Sequence, residues 1–142
     1  MPQNKQPQTL KIKSRKLPGE VWSLAFPGYA LSNKGRWYSV SRERIMKQSL
    51  NSSGYKRATI MINGERKHVL THIKVVEIYG DCKGKRIPEG AESLRELRLS
   101  IDHLDANRKN PSSSNLEIVT HVENCLRRSF NQRKIKSQIG GN

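Results

Sequence analysis

Asp102 and His103, with Asn115 and Asn124 downstream, are the residues of this 142-residue chain whose types and spacing could do chemistry. A carboxylate and an amide are hard oxygen donors for a divalent cation. An imidazole, with an ordinary pKa near ~6.5, keeps a neutral, proton-accepting fraction at cellular pH. A second amide, Asn115, carries the donor and the acceptor that locking a loop requires. All four sit in a chain of formal net charge +15. A cation, a base and a polyanion-seeking surface together imply hydrolysis of a phosphodiester. An isolated Asp-His pair in a loop is more often structural, so the weight falls on the ordered set and on the elements that hold it.

Those elements read as a strand over Leu97 to His103, a polar loop over Asp105 to Ser114, a second strand over Leu116 to Val119 and a helix from His121 to about Arg128. Thr120 and Glu123 have the Thr-x-x-Glu spacing of a capping box, in which each side chain satisfies the other's backbone N–H. Asn124 then falls in the first helical turn. A carboxylate from the first strand and an amide from the helix could share one hard cation and leave its remaining positions to water and phosphate oxygens. The partial positive charge at the helix N-terminus favours an anionic substrate.

Upstream, residues 1–17 are polar and carry Lys5, Lys11, Lys13, Arg15 and Lys16, which predicts a disordered basic arm. From Gly19 to Val40 aromatic residues alternate with the turn signals Pro27-Gly28 and Asn33-Lys34-Gly35, the pattern of short strands. Tyr55 to Ile62 and Glu65 to Thr71 are β-rich runs joined by Asn63-Gly64, whose tolerance of positive φ fits a type I′ hairpin. Lys56, Arg57, Arg66 and Lys67 would stud this ribbon, which is narrow enough for a major groove, although a solvated sheet face has an equal claim. Thr71 is placed to cap a short helix through Tyr79 that ends at Gly80, and residues 80–97 read as a loop with one helical turn.

Only 34% of residues are hydrophobic, so the core must be modest, and Trp22, Phe26, Tyr29, Trp37, Tyr38 and Tyr55 place most of its aromatic material in the first half. With 27 Lys and Arg against 12 Asp and Glu, nucleic acid is the expected polyanion, and charge alone does not separate DNA from RNA. Cys82 and Cys125 form no paired-ligand motif, and their spacing to His72 and His103 resembles no zinc site. A reducing compartment follows. The first residues lack the apolar run of a secretory leader, and no stretch approaches the ~18 apolar residues of a membrane span, so a cytoplasmic, membrane-free protein is expected.

The residues that carry chemistry resemble the HNH family of homing endonucleases of phages and group I introns. The family core reads approximately Val-Asp-His-Ile-Asp-Gly-Asn-Lys-x-Asn-Asn, then Asn-Leu-Glu-Trp-Val-Thr, then Glu-Asn. Here Ile101-Asp-His-Leu-Asp-Ala-Asn-Arg-Lys-Asn, Asn115-Leu-Glu-Ile-Val-Thr and Glu123-Asn124 match in order and spacing. Tyr29-Ala-Leu-Ser-Asn-Lys-Gly-Arg-Trp-Tyr-Ser39 is similar to the Tyr-x-Val-Ser-Asn-x-Gly-Arg module that often precedes that core, with Glu20-Val-Trp22 as its lead-in. The likeness covers roughly residues 20–126. Ile73 stands where the family usually has Arg, the loop from Gly80 to Arg98 is longer than usual, and no counterpart of the C-terminal helix-turn-helix reader of intron-encoded relatives is expected in these residues.

The resemblance implies an α+β fold: a small N-terminal β unit and hairpin (18–70) followed by a ββα-metal, or His-Me finger, HNH nuclease core (71–129) and a basic tail (130–142). It implies that Asp102 and Asn124 ligate one Mg²⁺ or Mn²⁺, that His103 is the general base and that Asn115 ties down the long loop and so orients His103. Double-stranded DNA would be the partner of a monomer or homodimer, contacted through Arg36, Lys56, Arg57, Arg66, Lys67, Arg127 and Arg128. The expected activity is metal-dependent cleavage of duplex DNA, on one strand or both. A catalytically silent nucleic-acid-binding or ribosome-associated protein of the same fold is the alternative, and a toxin-like nonspecific nuclease a third.

Overall fold

The computed structural model of the chain describes residues 10–87, 94, 97–127 and 129. Among the described residues nine strands arrange as three small sheets. The first is an antiparallel meander of β1 (Trp22–Phe26), β2 (Tyr29–Ser32), β3 (Trp37–Ser39) and β4 (Arg44–Ile45). Its turns fall at Pro27-Gly28 and Asn33 to Arg36, where the punctuating residues predict them, and Gly28 and Gly35 both have positive φ. At Gly35 (φ 81°) a Cβ would come within 2.3 Å of Pro111 Cγ, so this glycine also admits the loop that leads to Asn115.

The second sheet joins β5 (Ser49–Leu50), β6 (Lys56–Ile62) and β7 (Glu65–Leu70). Asn63 (φ 51°) and Gly64 (φ 77°) give the β6–β7 turn the paired positive φ of type I′. Helix α1 (Thr71–Tyr79) follows directly and stops at Gly80, φ 82°. Thr71 is helical rather than capping. Leu70 holds the N-cap position, and the Thr71 hydroxyl, fully buried, accepts from Trp37 Nε1 at 3.0 Å and donates to Gln48 Oε1. A distant tryptophan thus takes the hydroxyl that local sequence assigns to the helix end.

The third sheet is the pair β8 (Leu99–His103) and β9 (Leu116–Thr120), with Leu99 opposite Thr120 and Asp102 opposite Glu117. A second helix, α2, is described over 121–127. Half of the capping box forms: Glu123 N donates to Thr120 Oγ1 at 3.1 Å, while the Glu123 carboxylate turns to Arg127 instead.

One core unites these pieces: Leu31 and Trp37 from the meander, Ala58 and Ile60 from the hairpin, Val75 and Val76 from α1, and Ile101 and Leu116 from the β8–β9 pair. Asp81, buried after α1, braces the junction by accepting from the backbone N–H groups of Lys83, Lys85 and Ile118. Of the arm expected to be disordered, residues 10–17 are described, and they lie against the meander. Lys13 N donates to Tyr38 Oη, Lys13 Nζ pairs with Glu43, and the Arg15 carbonyl accepts from Arg36. Residues 1–9, most of the longer loop (88–93, 95 and 96) and the tail 130–142 lie outside the described residues. None of the helices among the described residues is long and apolar enough to cross a membrane.

Candidate active site

His103 closes β8 and is buried, 6% exposed. The turn that follows is fixed from both ends. Ala106 N donates to the His103 carbonyl at 2.8 Å, and Leu104 N donates to the Asn115 carbonyl at 2.8 Å. The Asn115 side chain completes the lock: its Oδ1 accepts from Asp105 N (3.0 Å), and its Nδ2 donates to Asp105 Oδ1 (2.9 Å) and to the Asn110 carbonyl (3.0 Å). Asn110 Nδ2 in turn donates to Asp105 Oδ2, and Asn107 N to Asp105 Oδ1. A polar loop of a dozen residues is thereby tied to one buried amide.

The His103 ring packs 5.3 Å from the ring of His72 and 5.5 Å from that of Tyr55, and His72 stacks on Tyr55 at 4.5 Å. Arg108, from the loop, lies 5.0 Å over the Tyr55 ring and donates to the Ser53 carbonyl. Burial pushes the His103 pKa below its ordinary value against the opposing pull of Asp105 and Asp102, so the imidazole is a neutral base at pH 7. His72 goes further, to about 3, through burial first and the neighbouring His103 second. His103 Nε2 and His72 Nδ1 are both buried without a hydrogen-bond partner. His72 enters the sequence analysis only as a rejected zinc ligand, yet it belongs to this cluster. It stands 31 positions before His103 with no local signal linking the two.

Asp102 precedes His103 and so projects to the other side of the strand. There Arg127 of α2 meets it: Nη1 bonds Asp102 Oδ2 at 2.9 Å and Glu117 Oε2 at 2.9 Å, and Nη2 bonds Glu123 Oε1 at 3.0 Å. Lys83 adds a second cation on Glu117 Oε1 at 2.7 Å. Arg127 and then Lys83 hold the Glu117 carboxyl down to about 2, and Glu117 and then Asp102 hold the Arg127 guanidinium firmly protonated. Asn124, half-buried between exposed neighbours, lies one turn before Arg127 and shares its helix face. It is Arg127 that brings this helix against Asp102.

The residues expected to meet a phosphate backbone divide. Arg127 is engaged as above, and Arg128 lies outside the described residues. Arg36 is engaged within the fold: its guanidinium bonds the fully buried Glu20 carboxylate at 2.5 and 2.8 Å and the Arg15 carbonyl, and lies over the Trp22 ring. Burial alone would raise the Glu20 pKa, but Arg36 and the Leu17 N–H bring it to about 2. In the hairpin Met61 pairs with Arg66 and Ile60 with Lys67, so the strand alternation puts Arg57 and Arg66 on the outer face and Lys56 and Lys67 on the side of Ala58 and Ile60. Outer-face Thr59 and Met61 also line a groove of about 690 Å³ that carries Arg42, Arg44 and Lys47. These three cations had no sequence signal beyond their charge.

Comparison with known proteins adds the following. Residues 24–61 match the family model described as the NUMOD4 motif. The H-N-H endonuclease F-TflI of Escherichia phage T5 is 28% identical over 68% of this chain and 45% of the relative. The DNA endonuclease I-HmuI of Bacillus phage SP01 is 33% identical over 70% of this chain and 52% of the relative. A solved structure of the HNH homing endonuclease I-HmuI, described as DNA binding and cleavage by that enzyme, superposes with a TM-score of 0.59 at 28% identity, covering 82% of this chain and 66% of the other. The chain spans about half the length of the curated relatives it matches.

Proposed function

This chain belongs to the HNH homing endonuclease family, and from that premise we propose that it is a metal-dependent endonuclease hydrolysing phosphodiester bonds in duplex DNA, with β8, β9 and α2 as a ββα-metal core. The observation that carries this reading is the convergence on one strand end of a neutral, buried imidazole and, across the strand, a carboxylate facing the helix that bears Asn124.

The donor set fits a hard divalent cation such as Mg²⁺ or Mn²⁺. Asp102 and Asn124 would supply the protein's oxygens to it, and among the described residues no group of three or more His, Cys, Asp or Glu gathers to hold a metal ion elsewhere. When bound, such a cation supplies charge neutralisation at the phosphate and at the departing 3′ oxygen, an effect of several kcal/mol. His103 takes the proton from the attacking water. Its burial keeps it unprotonated and ready to accept, and a base so placed contributes roughly 10²–10⁴-fold. Asn115 acts on His103 through the backbone of residues 104–106, holding the strand end at a fixed angle. His72 and Tyr55 wall the imidazole on its ring face.

Duplex DNA would lie along the outer face of the hairpin, where Arg57 and Arg66 continue into the groove of Arg42, Arg44 and Lys47. Lys56 and Lys67 flank it from the ribbon's other side. Arg36 is assigned to the fold rather than to the DNA. With one active site per chain, a nick is the simplest product of a monomer, and a double-strand break needs a homodimer or two events.

The test is supercoiled plasmid incubated with Mg²⁺ or Mn²⁺. Wild type converts it to nicked or linear form, and His103→Ala loses that conversion by a factor of about 10² or more. Equal, background-level conversion by both proteins would leave a nucleic-acid binder without turnover.

A further inference from the structure

We propose that Arg127 is a positioning residue that pins α2 onto β8 and β9 and thereby sets Asn124 and Asp102 at a common cation. This rests on the metal reading above and deepens it.

Helix α2 has little else to hold it among the described residues. Val122 is 70% exposed and Leu126 65%, so its apolar side chains do not dock it, and the half-buried positions are Asn124 and Arg127. The other attachments are at its N-terminal end, where the Arg98 carbonyl accepts from His121 N, His121 Nδ1 lies 3.3 Å from Ser100 Oγ of β8, and Thr120 caps. At its other end the attachment is the Arg127 guanidinium, which reaches across to a carboxylate on each strand. Those carboxylates, Asp102 and Glu117, are cross-strand partners that repel each other when unneutralised, so the guanidinium between them fixes both. Nη1 makes both strand bonds while Nη2 holds Glu123, so the planar guanidinium sets strands and helix in one fixed arrangement that a lysine's freely rotating ammonium does not impose.

The consequence for Asp102 is directional. Arg127 takes Oδ2, which leaves Oδ1 as the oxygen for a cation, and the same contact fixes the helix that bears Asn124. This is the logic by which outer partners orient metal ligands. It also accounts for Arg127 being turned inward rather than offered to solvent.

The experiment is Mn²⁺ titration of the full chain without DNA, followed by electron paramagnetic resonance, for wild type, Arg127→Lys and Glu123→Gln. Arg127→Lys keeps the charge and removes the fork. It should weaken Mn²⁺ binding by about 10–100-fold. Glu123→Gln removes the partner inside the helix and keeps both bonds to the strands, so its affinity should stay within about twofold of wild type, well short of that outer-partner loss. Wild-type affinity in Arg127→Lys, or an equal loss in Glu123→Gln, would overturn the assignment. A second measurement needs no variant: Mn²⁺ should slow amide exchange of residues 121–127 in the wild-type chain, and unchanged exchange at saturating Mn²⁺ overturns the pin. If wild type itself binds no Mn²⁺, the metal reading fails first. If it binds and Arg127→Lys binds equally, only the role of Arg127 fails.

Discussion

Replacing His72 with Phe should flatten the dependence of stability on pH between pH 8 and pH 5. His72 is 7% exposed and its pKa is pushed down to about 3, by burial and then by His103, whereas in the unfolded chain an imidazole titrates near ~6.5. Between these two values the unfolded state binds the proton and the folded state does not. Stability from this group is therefore complete above the unfolded pKa and declines as pH falls, down to about 3. Each pH unit inside the window is worth roughly 1.4 kcal/mol, so at pH 5 the wild type has lost about 2 kcal/mol through His72 alone. Phe keeps a ring against Tyr55, 4.5 Å away in the native stack, and has no nitrogen to titrate or leave unpartnered. Urea unfolding followed by circular dichroism reads the difference. With a slope of about 2 kcal/mol per M, the wild-type midpoint should fall about 1 M further than that of His72→Phe on going from pH 8 to pH 5. Glu20 and Glu117 titrate near 2, below the window, and His103 is common to both proteins. Parallel losses in the two proteins would refute a buried neutral His72.

Asn115→Ala removes three side-chain hydrogen bonds from a buried amide and should cost about 2–3 kcal/mol in urea unfolding, with plasmid conversion falling as His103 loses its fixed turn. Ala106 has φ 60°, a left-handed conformation that costs an L-residue about 1–2 kcal/mol, so Ala106→Gly should raise the unfolding midpoint despite glycine's larger chain entropy. Arg36→Ala strands the fully buried Glu20 carboxylate and should cost about 3–5 kcal/mol of stability. Arg66→Ala should leave stability nearly unchanged and reduce the slope of log affinity for duplex DNA against log salt by about 0.9; an unchanged slope would take Arg66 out of the footprint.

The elements legible in the sequence are those whose signals are local. The β6–β7 hairpin is written in Asn63-Gly64, α1 ends at Gly80 as its residues direct, and strand, loop, strand and helix follow from Leu99 in the expected order. The Asn115 tie, which the family resemblance implies, is made by an amide that bonds two backbone groups within ten residues. Short β4 and β5, two residues each, leave too brief a pattern to see. What escaped is whatever depends on residues meeting from far apart: Thr71 turning from cap to partner of Trp37, and His72 stacking between Tyr55 and His103. Neither the helix-start signal of Thr71 nor the lone histidine after it contains the information that decides its role.

The basic residues make the same point with more consequence for function. An excess of 27 Lys and Arg over 12 Asp and Glu marks a polyanion binder, but it does not say which cations face the polyanion. That is decided by the scarce partner, the carboxylates. Glu20 is folded into the interior and takes Arg36; Asp102, Glu117 and Glu123 gather on α2's inner face and take Arg127. Together these four carboxylates remove two arginines from the outer field and convert them into braces. The cations that remain exposed, such as Arg66 on the hairpin and Arg42 and Arg44 at the groove, stand away from those acids, on the second sheet and its border with the first. The division predicts its own experimental signature. Neutralising a braced arginine lowers stability and leaves the salt slope of DNA binding alone, while neutralising an exposed one does the reverse. Arg36→Ala that binds DNA with a flattened salt slope at full stability would place Arg36 back among the DNA contacts and undo the distinction.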